Sequence, residues 1–302
     1  MHNKTKLFIV CMIAAVALLA AAGGWAAMTC SWVEQQGSGT NTATLAVAAN
    51  FTEPLKDLVK QCQDDGGCVN THYQVCADAT ANLKAAIDAN PNTYGYFFAA
   101  DTTAKVYGSD RAYEYAKGIP AFFGKEATLT NAQSLITQAG TDAHWPCNSS
   151  DVSSLSFSTN AYDTANSKYM AVAGTGAPYG VMSHAIINDI DGASLPTTIP
   201  AYVRDPLYVN VNNVLNAVVG GTDRSGWLSK AQICDTTLKS VGTDYVAVTF
   251  TDNKWALHQW AIQLDTSGAA STALHYYIKT TLACPSGTDW KDFLDKHCYG
   301  AP

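Results

Sequence analysis

The chain has 302 residues, with 18 basic and 25 acidic side chains and a formal net charge of −7. No basic stripe runs along it, which excludes a charge-built nucleic-acid surface. A hydrophobic fraction of 47% over this length supplies the core of one large or two ordinary domains.

The first residues read as a secretory signal peptide over 1–26: Lys4 and Lys6, an apolar run from Leu7 to Ala22, then small residues around Trp25. The run is shorter than the roughly 18 apolar residues of a spanning helix. Its loss would take Lys4 and Lys6 away, moving the charge from −7 to −9. Export places the mature chain in a periplasmic or secreted, oxidising compartment. Nine cysteines are present, and Cys11 leaves with the signal. The other eight, an even number without a C-x-x-C, read as disulfides rather than a metal site. Cys62–Cys68 and Cys284–Cys298 are the expected pairs, because each closes a short loop between predicted elements, with a stabilisation of about 2–4 kcal/mol each.

Residues 27–43 are polar and aperiodic and read as a loosely docked leader. From Thr44 strands and helices alternate. Residues 44–49 (TLAVAA) read as a buried strand, and Leu55, Leu58, Val59 and Cys62 fall at helical spacing. A strand is predicted over 69–77, a helix over 80–90 ended by Asn90-Pro91, a strand over 94–100, and a helical or mixed segment over 103–116. A short helix over 132–139 and a polar surface excursion over 141–165 follow. Strands are then predicted at 169–174, 206–211, 226–231, 245–250 and 255–264, with helices at 179–189, 212–221, 269–284 and 288–300. This alternation is that of an α/β protein with mainly parallel sheets.

One local design recurs. A strand ends, a small residue follows and a helix begins, at Asn50-Phe51-Thr52, Asp78-Ala79-Thr80, Ala177-Pro178-Tyr179-Gly180 and Asn210-Val211-Asn212. Each start exposes unpaired N–H groups and the positive end of a helix dipole, which together bind anions without charged side chains. Singly, such residues are ordinary caps; only convergence on one cleft makes them a site. The stretch YMAVAGTGAPYGVMSHAII (169–187) is not a dinucleotide fingerprint. Gly174, Gly176 and Gly180 are one residue too widely spaced, and Asp189 lies too near the loop for a ribose partner. No G-x-S-x-G is present, and neither Ser225 nor His258 has an evident catalytic partner. Paired carboxylates such as Asp64-Asp65 and Asp189/Asp191 read as solvated loops. A binding protein is therefore expected rather than an enzyme, with no cofactor.

LAVAANFTEPLKDLVKQ, FFAADTTA, AYEYAKGIPAFFGK, MAVAGTGAPYG, NVNNVLNAVVGG and GWLSKAQIC follow one another from about Thr44 to Gly300. In order and spacing they resemble the periplasmic molybdate-binding proteins of ABC transporters. The resemblance implies an α/β, two-lobe periplasmic binding protein fold of type II. Each lobe would be a mainly parallel sheet flanked by helices, joined to the other by two crossover strands. Lobe one would hold 44–119 and 245–302, and lobe two 120–244, with crossings near Tyr115–Ala121 and Asp244–Thr249. The implied ligand is molybdate or tungstate, captured by a monomer and handed to an ABC permease. Carried over by position, the pocket would use Asn50, Thr80 or Ala79, the backbone N–H of Tyr179 and of Val211, and Ser229. Asp78 departs from the pattern: turned outward it caps its helix, turned inward it would favour an oxyanion that keeps a proton. Another small anion, with Tyr179, Trp227 and His184 as further contacts, is the alternative ligand. A disulfide-stabilised interaction protein on the same scaffold is the alternative role.

Overall fold

The computed structural model describes residues 28–33, 40–125, 144–147, 168–234, 245–250 and 253–302. The signal segment, part of the leader, the helix at 132–139 and most of the 141–165 excursion lie outside the described residues. Two sheets carry the fold.

The first sheet is built from β1 (Thr29–Trp32), β2 (Asn41–Ala48), β3 (Thr71–Asp78), β4 (Tyr94–Ala99), β5 (Tyr113–Gly118) and β11 (Leu257–Gln263). Its spatial order is β1-β3-β2-β4-β11-β5. Strands β3, β2 and β4 are parallel neighbours. Leu45, Ala46 and Val47 in β2 are fully buried, because a strand between two parallel neighbours has both faces covered. Helix α1 (Thr52–Asp64) lays Leu55, Leu58, Val59 and Cys62 onto the sheet, the i, i+3, i+4, i+7 stripe of an amphipathic helix. Helix α2 (Thr80–Ala89) buries Leu83 and Ile87.

The second sheet joins β6 (Pro120–Lys125), β7 (His144–Cys147), β8 (Met170–Ala171), β9 (Ser225–Ser229) and β10 (Tyr245–Phe250) in the order β7-β10-β6-β9-β8. Helices α3 (Pro178–Asp191) and α4 (Val211–Val219) flank it. A short helix α5 (Lys230–Cys234) follows β9 directly. Helices α6 (Ala269–Tyr276) and α7 (Thr288–Lys296) return to the first core, where Leu274, Trp290 and Leu294 are fully buried. Among the described residues no helix is long and apolar enough to cross a membrane.

The chain passes from the first sheet to the second through Gly118-Ile119-Pro120. It does not return at 244–249: β10 pairs with β6 and β7 in the second sheet, and the return runs between Phe250 and Leu257. Other expectations are corrected too. Residues 103–116 split into a 3-10 turn, Thr102–Tyr107, and strand β5. Alternation of the buried Tyr113 and Tyr115 with Glu114 imposes period two there. The predicted strand over 206–211 is a loop touching the sheet by a single bridge, Ala173 to Tyr208. Part of the leader is a strand, since β1 pairs antiparallel with β3.

Disulfides join Cys30 to Cys76, Cys62 to Cys68 and Cys234 to Cys298. The pair Cys62–Cys68 is as expected. The pair Cys284–Cys298 does not form: Cys284 is a free, buried thiol, which burial pushes up to about 12. The nine residues of α7 lie between the two cysteines and separate its ends by about 13 Å, beyond the reach of about 7 Å between bridged Cα atoms. Cys234–Cys298 spans 64 residues, so loop-closure entropy predicts a contribution of about 4 kcal/mol. A Cys234→Ser, Cys298→Ser double variant is expected to lose about that much in chemical denaturation. Peptide mapping without reductant should return the three linked pairs and none containing Cys284.

Candidate functional site

Four helical elements start around one place between the two sheets, two at the carboxyl ends of β2 and β3 and two after loops. The 3-10 turn Ala49–Phe51 leads into α1 after β2, and α2 begins after β3. From the second sheet, α3 begins after Gly176-Ala177 and α4 after Asn210. Asn50, Asp78, Ala79 and Thr80 line a shared cavity from one side, and Ala177, Tyr179, Asn210 and Val211 from the other. The space they enclose is small.

The starts of α1, α2 and α3 carry no capping side chain; their preceding residues are Phe51, Ala79 and Ala177. All three are buried. The first N–H groups of a helix have no acceptor within it, and leaving such groups buried and unpaired is costly. Some find partners nearby: the N–H of Ala81 donates to the Gly176 carbonyl across the gap at 3.3 Å. Thr80, Tyr179 and Val211 stand at the first or second positions of their helices, and all three line the cavity. Thr80 Oγ1 accepts from the N–H of Ala100 at 3.2 Å, which leaves its own proton to donate. Helix α4 differs, because Asn210 Oδ1 accepts from the N–H of Asn213 at 3.0 Å.

Among the described residues no lysine or arginine lines the cavity, and its one ionisable carboxylate is Asp78, 4% exposed. Asp78 Oδ1 accepts from the N–H of Ala79 at 2.7 Å and from Asn210 Nδ2 at 3.2 Å. Its Oδ2 accepts from Asn82 Nδ2 at 3.1 Å. The outward cap and the inward group thus coincide: the carboxylate faces its own helix and still borders the cavity.

Asn50 borders the cavity, as the sequence suggested, but both protons of its amide are committed, to Gln259 Oε1 at 3.1 Å and to the Tyr299 hydroxyl at 2.9 Å. Ser229 does not line the cavity; its hydroxyl donates to the Tyr179 hydroxyl at 3.0 Å. Gln259 completes the wall, accepting from Tyr115 at 2.7 Å and donating from Nε2 to the Tyr179 hydroxyl at 2.9 Å. Burial, first of all causes, raises the pKa of Tyr115, Tyr179 and Tyr299, so all three remain neutral phenols. Gln259 is absent from the sequence-based set. Its only signal is a polar residue at an inward position of the alternating strand Leu257–Gln263. His184 and Trp227 lie away from the cavity. His184 Nε2 meets the Ala173 carbonyl at 3.0 Å, burial lowers its pKa, and Trp227 belongs to the second core. Among the described residues no group of three His, Cys, Asp or Glu side chains could hold a metal ion.

No family model matches the sequence, and no curated protein matches it. Solved structures do match in fold. The periplasmic molybdate-binding protein of Azotobacter vinelandii aligns with a TM-score of 0.58 at 16% identity, over 86% of this chain and 99% of that one. The substrate-binding protein of an ABC transporter from Agrobacterium tumefaciens gives 0.60 at 13% identity, over 92% and 85%. The sulfate-binding protein of Mycobacterium tuberculosis gives 0.55 at 10% identity, over 86% of each chain. The fold is that of the type II periplasmic binding proteins.

At Gly118 the wall leaves no room for a side chain: a Cβ would sit 2.0 Å from the Tyr179 hydroxyl and 2.2 Å from Gln259 Nε2. Gly118→Ala is expected to cost about 1–3 kcal/mol by overpacking. Gly176→Ala, whose Cβ would meet its nearest neighbour at 3.7 Å, should leave stability nearly unchanged. Denaturant titration of the two variants checks this.

Proposed function

We propose that this chain is an exported solute-binding protein that captures a compact tetrahedral oxyanion, of the class of molybdate and tungstate, and presents it to an ABC permease. The observation that carries the reading is the convergence of the 3-10 turn Ala49–Phe51 and the starts of α2, α3 and α4 on one small cavity, only α4 having a capping side chain. Neutral donors at helix N-termini suit an anion. The smallness of the cavity favours a compact ion over a larger solute.

The two halves act as lobes, 40–118 with 257–302 and 120–250, and the ligand lies where they meet. Thr80 donates its hydroxyl and backbone N–H, while Tyr179 and Val211 donate backbone N–H. Ala79 and Asn50 shape the floor, and Ser229 supports Tyr179. Three disulfides support an extracytoplasmic location, in keeping with the signal segment read at 1–26. The names of the structural neighbours, binding proteins for molybdate, for sulfate and for an ABC transporter substrate, support an anion ligand and binding without catalysis.

Calorimetric titration of the mature, oxidised chain with molybdate, tungstate, sulfate and phosphate tests the proposal. Saturable one-to-one binding of at least one of them is expected. Thr80→Val removes a hydrogen bond to a charged ligand and should weaken that binding about 10- to 100-fold. Absence of heat with all four anions would overturn the reading.

A further inference from the structure

A buried carboxylate on the wall of an anion cavity is a selective element. Asp78 is 4% exposed and borders the void. Among the described residues it has no cationic partner; its bonds come from the Ala79 N–H, Asn210 Nδ2 and Asn82 Nδ2. These neutral donors satisfy the carboxylate without cancelling its charge, so a fully deprotonated oxyanion placed beside it meets like-charge repulsion in a site poor in water. The two oxygens are unequally occupied. Oδ1 takes two of the donors and Oδ2 takes one. A carboxylate oxygen accepts about two hydrogen bonds, so Oδ2 retains capacity for one more. An O–H on the ligand would fill it and turn the repulsion into a charge-assisted hydrogen bond.

Asn210 extends the device across the gap. Its Nδ2 holds Asp78 Oδ1 while its Oδ1 caps α4, so the carboxylate is fixed in orientation when the two halves are together. We propose that Asp78 makes this a site for a tetrahedral oxyanion that keeps a proton at neutral pH, phosphate or arsenate, in preference to molybdate, tungstate or sulfate. The inference rests on the oxyanion-capture reading above and moves its preferred ligand from the molybdate class to an oxyanion that keeps a proton.

The test is competition calorimetry on the mature, oxidised chain at neutral pH, with phosphate, molybdate, sulfate and monofluorophosphate. Monofluorophosphate has the shape of hydrogen phosphate and the same double charge, with fluorine in place of the hydroxyl. Phosphate is expected to bind at least tenfold more tightly than the other three. In Asp78→Asn, phosphate should lose that advantage and sulfate should gain. Because the variant could fail to fold, the comparison of phosphate with monofluorophosphate on the unaltered chain stands by itself. Equal affinity for these two, or preference for molybdate or sulfate over phosphate, overturns the role of Asp78 while leaving oxyanion capture intact. No binding of any of the four removes both.

Discussion

The amide of Gln259 is the point on which the arrangement of the two halves depends. It is completely buried, and a buried amide must satisfy its polar atoms or cost the fold several kcal/mol. Its partners come from both sides: Asn50 and Tyr115 from the first sheet's half, Tyr179 from the second. The set is complete only when the halves are together. Gly118, where the chain crosses, is the residue that lets Tyr179 and Gln259 approach. The wall that supports the cavity and the crossing that connects the halves are therefore one structure.

Above that wall the chemistry is set by backbone rather than by charged side chains. Helix dipoles and N–H groups are fixed by the strands that precede them, so they are already oriented before a ligand arrives and need little reorganisation to bind it. A cavity made this way is small because its walls are main chain. It tolerates one carboxylate because that carboxylate is held by neighbouring amides and not by the ligand alone.

The helix starts were legible because they are local. A strand, a small residue and an amphipathic run lie within a few positions, and each start in the sequence became a helix start in the structure. Convergence was not legible, since it depends on strands paired across long separations. The role of Asn50 shows the limit: its partners Gln259 and Tyr299 lie 209 and 249 residues away, and nothing near Asn50 reports them. The return crossing was misplaced for a related reason. The strand 245–250 is equally apolar in either sheet, and only its pairing with β6 decides. Strand β1 gave no signal because four mostly exposed residues at a sheet edge have no alternation to read, and a disulfide fastens them.

The bridge between Cys234 and Cys298 joins the end of α5 to the C-terminal segment. Both ends lie beside the crossing at Gly118-Ile119-Pro120. The Lys230 N–H donates to the Ile119 carbonyl, and Gly300 exchanges backbone hydrogen bonds with Lys117. In mechanical terms, a covalent tie so close to the crossing has a short lever arm, so it opposes sliding of one half against the other more than any change in the angle between them.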